Sequence, residues 1–568
     1  MKSQAKFHNF DLEKNSKDHS QAAPEIKLAI EEWVAAIGKD AVKFDATTIS
    51  RYARSTSNAE RAPLAVLHPR TTEQVQSIVT IANHRKVPLH PISRGKNWGY
   101  GDACAPSEGQ VIVDFSEMNR ILEVNEELGY IRIEPGVSQG QLHRYLVEHN
   151  LPLWMDSTAA GPDASIVGNT LDRGFGHTRY GDRSQNCCGM TVVLPDGRIL
   201  KTGFGHYPNS KVHQVYRNGV GPWLDGLFFQ SNFGIVTEMG IWLMPKPEAY
   251  SAFFINAKSE TDLDEIIDRL APLKRQGLLT SAIHIANDLR ILSNRTRYPW
   301  ARANGQTPLP NNLREELRRE FQVGAWIACG AIYGTKEVVL AIQKTLTKEL
   351  RNFKPIFLDD RKMARAEKIQ KILNWFGAGQ ALRQKIESAR PILELLKGVP
   401  TKETVHGGEW RLKNIAPGDE AAVAGRDPLE SNAGLMWVSP ILPMTSVAAR
   451  DVLRILDEVY GKYGFDTLVT FTMLTERALC CVSNIAYDRR DELEVTRAKI
   501  CCDEVYGALI NAGYIPYRSG GPGFAKLTQN PSVFWDFAGE LKDAIDPNQI
   551  LSPGRYIPKK QNPPKARM

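Results

Sequence analysis

The sequence predicts an α+β protein with two large domains, and three observations support this prediction. The chain has 568 residues, too many for one hydrophobic core, so we expect two domains or one domain with a large insertion. Its first part alternates strand and helix patterns, which is typical of parallel β-α-β units. Its middle part alternates amphipathic helices with apolar strands, which suits an antiparallel sheet covered on one face by helices.

The first predicted elements are a helix and a β-α-β unit. Residues 25–38 have helical periodicity, because their apolar positions recur every three to four residues. Residues 62–69 predict a strand, residues 70–86 a helix and residues 87–93 a second strand. Two parallel strands joined in this way almost always form a right-handed unit.

Strand patterns continue through the rest of this first part. A helix is predicted from Gln139, and a hairpin is predicted around Asp196-Gly197, a typical two-residue turn. The strands that we expect are VIVDF, ILEV, YIRI and the apolar run that follows QSNFG.

The pattern changes after Pro245 and Pro247, where amphipathic helices begin to alternate with longer apolar strands. We therefore place a second domain at residues 246–500, with the helix around residues 497–513 returning the chain to the first domain. The predicted division is an N-terminal extension and helix (1–50), the first domain (51–245), the second domain (246–500) and a C-terminal return (501–568).

Composition and charge argue against several classes of function. The net charge is +7, from 71 basic and 64 acidic residues, and no block of Lys or Arg favours a nucleic-acid partner. No apolar run approaches the roughly 18 residues of a membrane span, and no signal peptide is visible, so we expect a cytoplasmic protein. The eight cysteines include three adjacent pairs and no metal-ligand spacing, which predicts reduced thiols and no metal site.

An unusual stretch, PISRGKNWGYG (residues 91–101), places three glycines directly after the second predicted strand. Alpha/beta folds bind ligands at the carboxyl ends of such strands. The spacing matches neither GxGxxG nor GxxxxGK[ST]. A glycine-rich run exposes backbone N–H groups, which can form a nest for a pyrophosphate. Considered alone, the stretch leaves a plain glycine turn equally open.

Seven segments in chain order together resemble the vanillyl-alcohol oxidase / p-cresol methylhydroxylase family of FAD-linked oxidoreductases. The resemblance spans roughly residues 50–558 and rests on AVLHPRTTEQVQSIV, PISRGKNWGYG, MNRILEVN, IEPGVSQGQLHRYL, SIVGNTLDRGFGHTRYGD, QSNFGIVTEMGIWLMP and DPNQILSPGR. It implies a two-domain α+β flavoprotein, with a PCMH-type FAD-binding domain and an antiparallel-sheet substrate cap at 246–500.

The resemblance also implies which residues bind FAD. The glycine-rich stretch would lie against the pyrophosphate, and a second stretch would lie near the flavin ring or ribityl chain. The turn after QSNF would line the other side of the cofactor, and two C-terminal residues would close the site. The implied FAD-binding residues are Pro91, Ser93, Arg94, Gly95, Lys96, Asn97, Trp98, Ser165, Gly168, Asn169, Gly181, Asp182, Gly234, Ile235, Val236, Asn548 and Arg555.

Phenol-oxidising members of this family hold a phenolate with two tyrosines and an arginine, and the matching positions here are Tyr100, Tyr517 and Arg518. Hydrogen bonds and a guanidinium charge lower the pKa of a bound phenol, and the anion then drives hydride loss at the para substituent. A solvated Tyr-Arg pair is the alternative.

Two departures from the family pattern affect the catalytic interpretation. Ala159 or Ala160 stands where phenol-oxidising members carry an acid, with Asp156 or Asp163 as substitutes or as turn-forming residues. His177 stands where a tyrosine is usual, and it is either a general base or only a hydrogen-bond partner.

The family's linking residues for covalent FAD are absent at the expected places. Leu435 lies near the position of the linking histidine, no tyrosine precedes it, and Asn97 stands where a related group of oxidases has its histidine. We therefore expect non-covalent FAD, although a different linking residue stays open.

The expected function is oxidation of a para-substituted phenol or a related aromatic or benzylic alcohol. The alternatives are a non-phenolic alcohol or hydroxy acid as substrate, or a non-catalytic protein that keeps the fold. The resemblance implies a homodimer, and the electron acceptor is O2, a quinone or a cytochrome.

Overall fold

The computed structural model describes residues 22–375, 379–413 and 427–558, so the predicted N-terminal extension lies largely outside the described residues. Helix α1 (Ala22–Ile37) confirms the predicted first helix. The indole N–H of its Trp33 donates to the carbonyl of Ile78 at 3.2 Å. This contact fixes α1 against the helix of the β-α-β unit.

The first sheet contains β1 (Val42–Lys43), β2 (Val66–Leu67), β3 (Leu89–Ile92) and β4 (Val111–Asp114). Two helices accompany it, α2 (Ala46–Ala53) and α3 (Thr72–Arg85). The strand order is β1-β2-β4-β3, and β4 pairs in parallel with both β2 and β3. The predicted β2-α3-β3 unit is therefore present, but β4 lies between its two strands.

The second sheet is antiparallel and contains β5 (Ile121–Asn125), β6 (Tyr130–Ile133), β8 (Cys187–Val193), β9 (Ile199–Lys201) and β10 (Ile235–Trp242). Its order is β5-β6-β10-β8-β9, and β8 and β9 form the predicted hairpin. The helices α4 (Gln139–Glu148) and α5 (Ile166–Leu171) belong to this region, as do the paired strands β7 (Leu153–Trp154) and β11 (Met244–Pro245).

The third sheet is the largest and confirms the predicted antiparallel sheet. Its strands are β12 (Ala249–Ala257), β13 (Ile283–Asn287), β14 (Trp326–Gly334), β15 (Ile356–Leu358), β16 (Ala433–Val438), β17 (Ile441–Pro443), β18 (Leu468–Met473) and β19 (Ala478–Asp488). Seven of them lie in the order β15-β12-β14-β13-β18-β19-β16, and β17 pairs with β19.

Helices cover one face of this large sheet along its whole width. The helices of the region are α6 (Asp262–Arg275), α7 (Asp288–Ser293), α8 (Asn311–Glu320), α9 (Lys336–Glu349), α10 (Asp360–Trp375), α11 (Gln380–Leu396), α12 (Ser446–Lys462) and α13 (Glu492–Asn511). Apolar residues of α6, α9, α12 and α13 form one core with every second residue of the strands. Burial of this amphipathic set is what holds the sheet and its helices together.

The opposite face of the large sheet is covered differently. Helices α10 and α11 pack over its β12–β14 side, and the chain around α7 and α8 packs over Leu468 and Ala486. Between these two covers, the middle of the face is turned toward the first two sheets, where the amide of Ala282 donates to the carbonyl of Thr178 at 3.3 Å.

The C-terminal part of the chain returns to the first sheet. It contains α14 (Gly521–Leu527) and α15 (Val533–Ile545). Leu551 then forms a parallel bridge with Leu89 of β3. The boundary placed at residue 500 falls inside α13, whose buried residues belong to the core of the large sheet. The division into domains stays a prediction, and α13 as a whole belongs with the large sheet.

All eight cysteines are buried and unpaired. Within the described ranges, no helix is long and apolar enough to cross a membrane. The same residues contain no cluster of three or more His, Cys, Asp or Glu side chains that could hold a metal ion.

A buried ion pair makes the packing of α13 testable. Arg411 donates to Glu494 at 2.6 Å, and both side chains are 1% exposed. Glu494→Gln would leave the Arg411 charge without its full counter-charge, so the free energy of unfolding should fall by about 3–5 kcal/mol. Urea denaturation measures this change. Glu492→Gln is the control, because Glu492 lies two residues earlier in α13 and is exposed. Its free energy of unfolding should stay within about 0.5 kcal/mol of wild type.

Candidate active site

The glycine-rich loop after β3 presents a row of free backbone donors. Among the residues that the structure describes, the N–H groups of residues 94–98 have no hydrogen-bond acceptor, although Gly99 N–H donates to Thr56 Oγ1 at 2.8 Å. These residues are only partly exposed. Unsatisfied donors at partly buried positions cost free energy unless a ligand accepts from them. Five successive donors form a nest that fits the phosphate oxygens of a dinucleotide.

The short helix α5 packs directly against this loop. Its cap residue Ser165 accepts from the N–H of Gly168 at 2.9 Å, which starts the helix. A Cβ on Gly168 would lie 2.8 Å from Ser93 Oγ, so only glycine permits this approach. Asn169, on the same helix, accepts from Arg183 at 3.2 Å. The loop and α5 therefore adjoin each other, and we call the region that they border the cleft.

The loop also meets the large sheet at Gly99. This residue has φ +75°, and a Cβ there would lie 2.4 Å from the indole of Trp437 in β16. The ring of Tyr100 stacks on Trp437 with centroids 6.3 Å apart. The indole N–H of Trp437 donates to the carbonyl of Trp98 at 2.9 Å. Close packing at a glycine thus fixes Tyr100 between the loop and the sheet.

A buried carboxylate joins the loop to the C-terminal part of the chain. Asp172, just after α5, accepts from Arg518 Nε at 2.6 Å and from Asn97 Nδ2 at 3.1 Å. Arg555 Nη2 lies 3.5 Å from its other oxygen, which also accepts from the hydroxyl of Tyr556. The cluster of one carboxylate and two guanidinium groups carries a net charge of +1.

The charges of this cluster determine its protonation. Burial acts to raise the pKa of Asp172, but the Arg518 and Arg555 charges outweigh it, so the pKa lies below its ordinary value. Burial would lower the pKa of Arg518, but the Asp172 charge raises it above its usual value. Burial raises the pKa of Tyr100 to about 12, against the opposing Arg518 charge. At neutral pH the cluster is ionised and Tyr100 is a neutral O–H group.

Ser439 brings the two predicted tyrosines together. Its hydroxyl lies 2.9 Å from Tyr100 Oη, and its carbonyl accepts from the N–H of Tyr517 at 3.1 Å. The Arg518 guanidinium lies over the Tyr100 ring, 4.1 Å from the centroid. Burial raises the pKa of Tyr517 well above its ordinary value, and the neighbouring Cys480 adds to the effect. Tyr100 and Arg518 are therefore in direct contact, and Tyr517 lies close enough to interact electrostatically with both.

A row of register partners crosses the open middle of the large sheet. Cys329, His284, Thr472 and Cys480 stand side by side on four neighbouring strands. Their chain neighbours on the same strands belong to the helix-covered core, so this row lies on the opposite face. Cys480 lies near the tyrosines, and His284 lies near His177.

The two histidines form a contact between the first domain and the sheet. Their ring centroids are 4.2 Å apart. His177 Nδ1 lies 3.1 Å from the carbonyl of Ser157, which can only accept, so Nδ1 carries the proton and Nε2 is the basic atom. His284 Nδ1 contacts Thr472 Oγ1 at 3.0 Å, and its Nε2 is buried without a partner. Burial lowers the pKa of both imidazoles, so His177 is neutral at pH 7.

Comparison with known proteins identifies the family and the cofactor. A model described as an FAD binding domain matches residues 63–203. The 4-cresol dehydrogenase [hydroxylating] flavoprotein subunit of Pseudomonas putida is 32% identical over 537 residues, covering 94% of this chain and 95% of that protein. The chain belongs to the vanillyl-alcohol oxidase / p-cresol methylhydroxylase family. It is an FAD-dependent oxidoreductase, and FAD is its cofactor.

Further members of this family align over nearly the whole chain. The 1'-carboxy-chondrochloren decarboxylase of Chondromyces crocatus is 36% identical over 506 residues, covering 88% of this chain and 91% of that protein. The crystal structure of p-cresol methylhydroxylase with substrate bound has a TM-score of 0.83 at 31% identity, covering 94% and 97%. The 4-ethylphenol oxidase of Gulosibacter chungangensis in an isoeugenol complex has the same TM-score and coverage at 28% identity.

Most of the residues predicted to bind FAD lie around the cleft. They belong to three elements in mutual contact, which are the glycine-rich loop, α5 and the C-terminal segment. The residues are Pro91, Ser93, Arg94, Gly95, Lys96, Asn97 and Trp98 in the loop, Ser165, Gly168 and Asn169 at α5, and Arg555. Lys96 pairs with Asp427, and Arg94 donates to the carbonyls of Asp163 and Gly136. Their roles toward FAD remain predictions.

Other predicted residues have different surroundings. Asn548 is exposed and donates to Asn83 at the end of α3, where the chain enters β3, so the structure places it apart from the loop that follows β3. The side chains of Ile235 and Val236 are buried in two apolar cores. A Cβ on Gly234 would lie 2.6 Å from Val192, so close strand packing explains this glycine. Only the backbone of this segment is left to face a cofactor.

Gly181 and Asp182 close a tight loop beside His177. The carbonyl of Gly181 accepts from Gly176 N–H at 2.9 Å, and Asp182 accepts from Ser184 at 2.8 Å. Asp156, considered as a substitute acid, is held by Arg183 at 2.8 Å and by Thr178. Asp156 is therefore not a free base, and Asp163 lies at the surface.

Sequence reasoning missed Asp172, Tyr556, Ser439 and His284. Asp172 lies within the family segment SIVGNTLDRGFGHTRYGD, and Tyr556 directly follows the segment DPNQILSPGR. The available signal for Asp172 is that this acidic residue lies between Gly168 and Gly174, in a segment that the resemblance places near the flavin. Ser439 and His284 join the site only through strand register, for which the sequence has no local mark.

The surroundings of the linking positions predict that FAD is released without breaking a bond. Leu435 packs beside Gly99 and has an aliphatic side chain, which is no nucleophile. Asn97 has an amide side chain, which is engaged with Asp172 and Arg518 and is no nucleophile either. Acid precipitation should leave a colourless pellet and FAD in the supernatant, measured by its absorbance. A yellow pellet would contradict the prediction, as would a protein that cannot be reconstituted with FAD.

Proposed function

We propose that the protein oxidises a para-substituted phenol or a related aromatic alcohol at its benzylic carbon. The observation that carries this proposal is the convergence of Tyr100, Tyr517 and Arg518 beside the Asp172 cluster. Bound FAD supplies an acceptor for the hydride that leaves the substrate carbon.

The residues favour the ionised form of a phenol. Tyr100 and Tyr517 are neutral at working pH, because burial raises the pKa of each, so they can donate O–H hydrogen bonds. The net charge of +1 on Asp172, Arg518 and Arg555 stabilises an anion nearby. A phenolate donates electrons toward its para carbon. Loss of a hydride from the benzylic carbon attached at that position, with bound FAD as the acceptor, gives a neutral quinone methide. The names of two relatives, 4-cresol dehydrogenase and 4-ethylphenol oxidase, support this substrate class.

His177 is the residue that we assign to proton or water management beside the oxidised carbon. Its Nε2 is unprotonated at neutral pH and faces the row of side chains on the large sheet. Addition of water to a quinone methide requires a base, and an imidazole of lowered pKa fits that role. The alternative is that His177 only supports the loop through Ser157.

One observation favours a second candidate substrate, a non-phenolic alcohol or hydroxy acid. Arg518 spends Nε and Nη2 on Asp172 and Asn97, so only part of its donor set is free for a phenolate. Bleaching of the flavin by a benzylic alcohol without a phenol group would favour this candidate. The proposal also includes an electron acceptor, which is O2, a quinone or a cytochrome. It further includes a homodimer and a cytoplasmic location.

The phenolate proposal predicts the effect of Arg518→Ala. Loss of the charge should raise the pKa of the bound phenol and lower the anaerobic flavin reduction rate by about 10- to 150-fold, as expected for one hydrogen bond to a charged group. Stopped-flow absorbance with 4-ethylphenol measures the rate. Arg179→Ala is the control. It removes an exposed guanidinium from the segment that carries His177 and should leave the rate unchanged. Equal reduction rates in Arg518→Ala and wild type would overturn the proposal.

The proposed role of His177 predicts a pH effect. Because burial lowers its pKa, the base is lost only as pH falls below about 6.5, and formation of the hydroxylated product from the quinone methide should slow there in wild type. His177→Gln should lower the steady-state rate of this product formation by at least about tenfold at pH 7 and flatten its acid limb. FAD content should not change. The exposed His149→Gln is the control. Loss of FAD with normal turnover of the remaining holoenzyme would instead make His177 a structural residue.

A further inference from the structure

Arg290, the third residue of α7, is a cation without a counter-charge. Its Nη2 donates to the carbonyls of Leu468 at 2.9 Å and Val482 at 3.4 Å. Its Nε and Nη1 have no acceptor, and no carboxylate pairs with it, within the described part of the chain. By contrast, the buried Arg183 and Arg411 each pair with a carboxylate. Arg290 is partly exposed, and a partly buried cation without a counter-charge is stabilised by a nearby anion, so such a site suits one.

Asn484 adds unused amide atoms at the same place. It lies on β19, is fully buried, and neither Nδ2 nor Oδ1 has a hydrogen-bond partner. Its register partners on the two neighbouring strands are Leu468 and Trp437. Arg290 contacts both of these, since its guanidinium also lies 5.5 Å from the Trp437 ring centroid. Arg290 therefore contacts the neighbours of Asn484 on both sides.

These groups border the open middle of the sheet. Thr470 and Val482 are register partners on central strands, yet both are partly exposed, as are Arg290 and Trp437. Partial exposure on a covered sheet face means that space is left between the sheet and the first domain.

One aromatic stack connects this place to the phenolate cluster. Arg518 lies over the Tyr100 ring, Tyr100 stacks on Trp437, and Arg290 lies over the Trp437 ring. A single ligand bound along these stacked rings would meet two guanidinium groups, Arg518 at Tyr100 and Arg290 at Trp437.

From this arrangement we infer that Arg290 and Asn484 form a second anion site, which binds a carboxylate carried on the side chain of the substrate. The inference rests on the proposed function, since it makes the substrate an acidic phenol rather than a neutral one. A carboxylate has two oxygens in one plane, which suit the free N–H groups of Arg290 and the Nδ2 donor of Asn484. Arg290 and Asn484 are thus specificity residues, and hydride loss still occurs at the benzylic carbon.

Two matched substrates test the site in the FAD-loaded protein. They are 3-(4-hydroxyphenyl)propionate and the neutral 4-ethylphenol, compared by kcat/KM or by anaerobic flavin reduction. Wild type should prefer the carboxylate, and Arg290→Gln should reduce this preference by about 10- to 150-fold while the rate with 4-ethylphenol stays within about threefold. Arg290→Lys should keep part of the preference, because the charge remains. Arg295→Gln, another arginine of this segment that donates to a carbonyl, is the control and should change neither rate.

Asn484→Leu separates a ligand site from a structural role. Removing a buried amide without a partner should leave the melting temperature unchanged or raise it, whereas a structural hydrogen-bonding residue would lower it. The same variant should weaken the preference for the carboxylate substrate. A lower melting temperature together with an unchanged preference would overturn the inference, as would equal use of both substrates by wild type and Arg290→Gln.

Binding of a compound without a phenol distinguishes this inference from the proposed function. The dissociation constant of 3-phenylpropionate, against that of 3-phenylpropan-1-ol, is measured by perturbation of the flavin absorbance. Tighter binding of the acid that is lost in Arg290→Gln supports the anion site even if no phenol reduces the flavin. Equal binding of acid and alcohol contradicts the anion site even if phenols are oxidised and Arg518→Ala is inactive.

Discussion

The buried carboxylate of Asp172 is the group on which the geometry of the cleft depends. It receives donors from Asn97 in the glycine-rich loop and from Arg518, Arg555 and Tyr556 in two separate C-terminal segments. These parts of the chain are far apart in sequence. Because a buried ion must be matched by opposite charge and hydrogen bonds, the carboxylate fixes all of them at once.

The same cluster links structure to chemistry through its charge. A single carboxylate between two guanidinium groups leaves one positive charge in a region that water reaches poorly, where electrostatic effects are strong. Neutral tyrosines then supply O–H donors without adding negative charge. Positioning and polarity therefore come from the same residues, so that neither can change without the other.

Local signals in the sequence predicted the helices, the strands and the glycine-rich loop well. Helical periodicity located α1 and α3, and the Asp196-Gly197 turn located the β8–β9 hairpin, since these depend on neighbours in the chain. The order of segments predicted the family and its cofactor. What could not be predicted depends on distant pairing: β4 between β2 and β3, α13 on the large sheet, and His284 opposite His177. Register between strands decides these contacts, and no short motif encodes it.

The bridge between Leu89 and Leu551 has a consequence for how the protein is made. In β3, the strand that supports the glycine-rich loop, Leu89 donates its N–H to the carbonyl of Ile550 and its carbonyl accepts from the N–H of Ser552, at 2.7 Å each. During synthesis Leu89 leaves the ribosome hundreds of residues before Ile550 and Ser552 do. This edge of the first sheet therefore stays unpaired until the segment around residue 550 has been made, and the nascent chain must keep it protected until then.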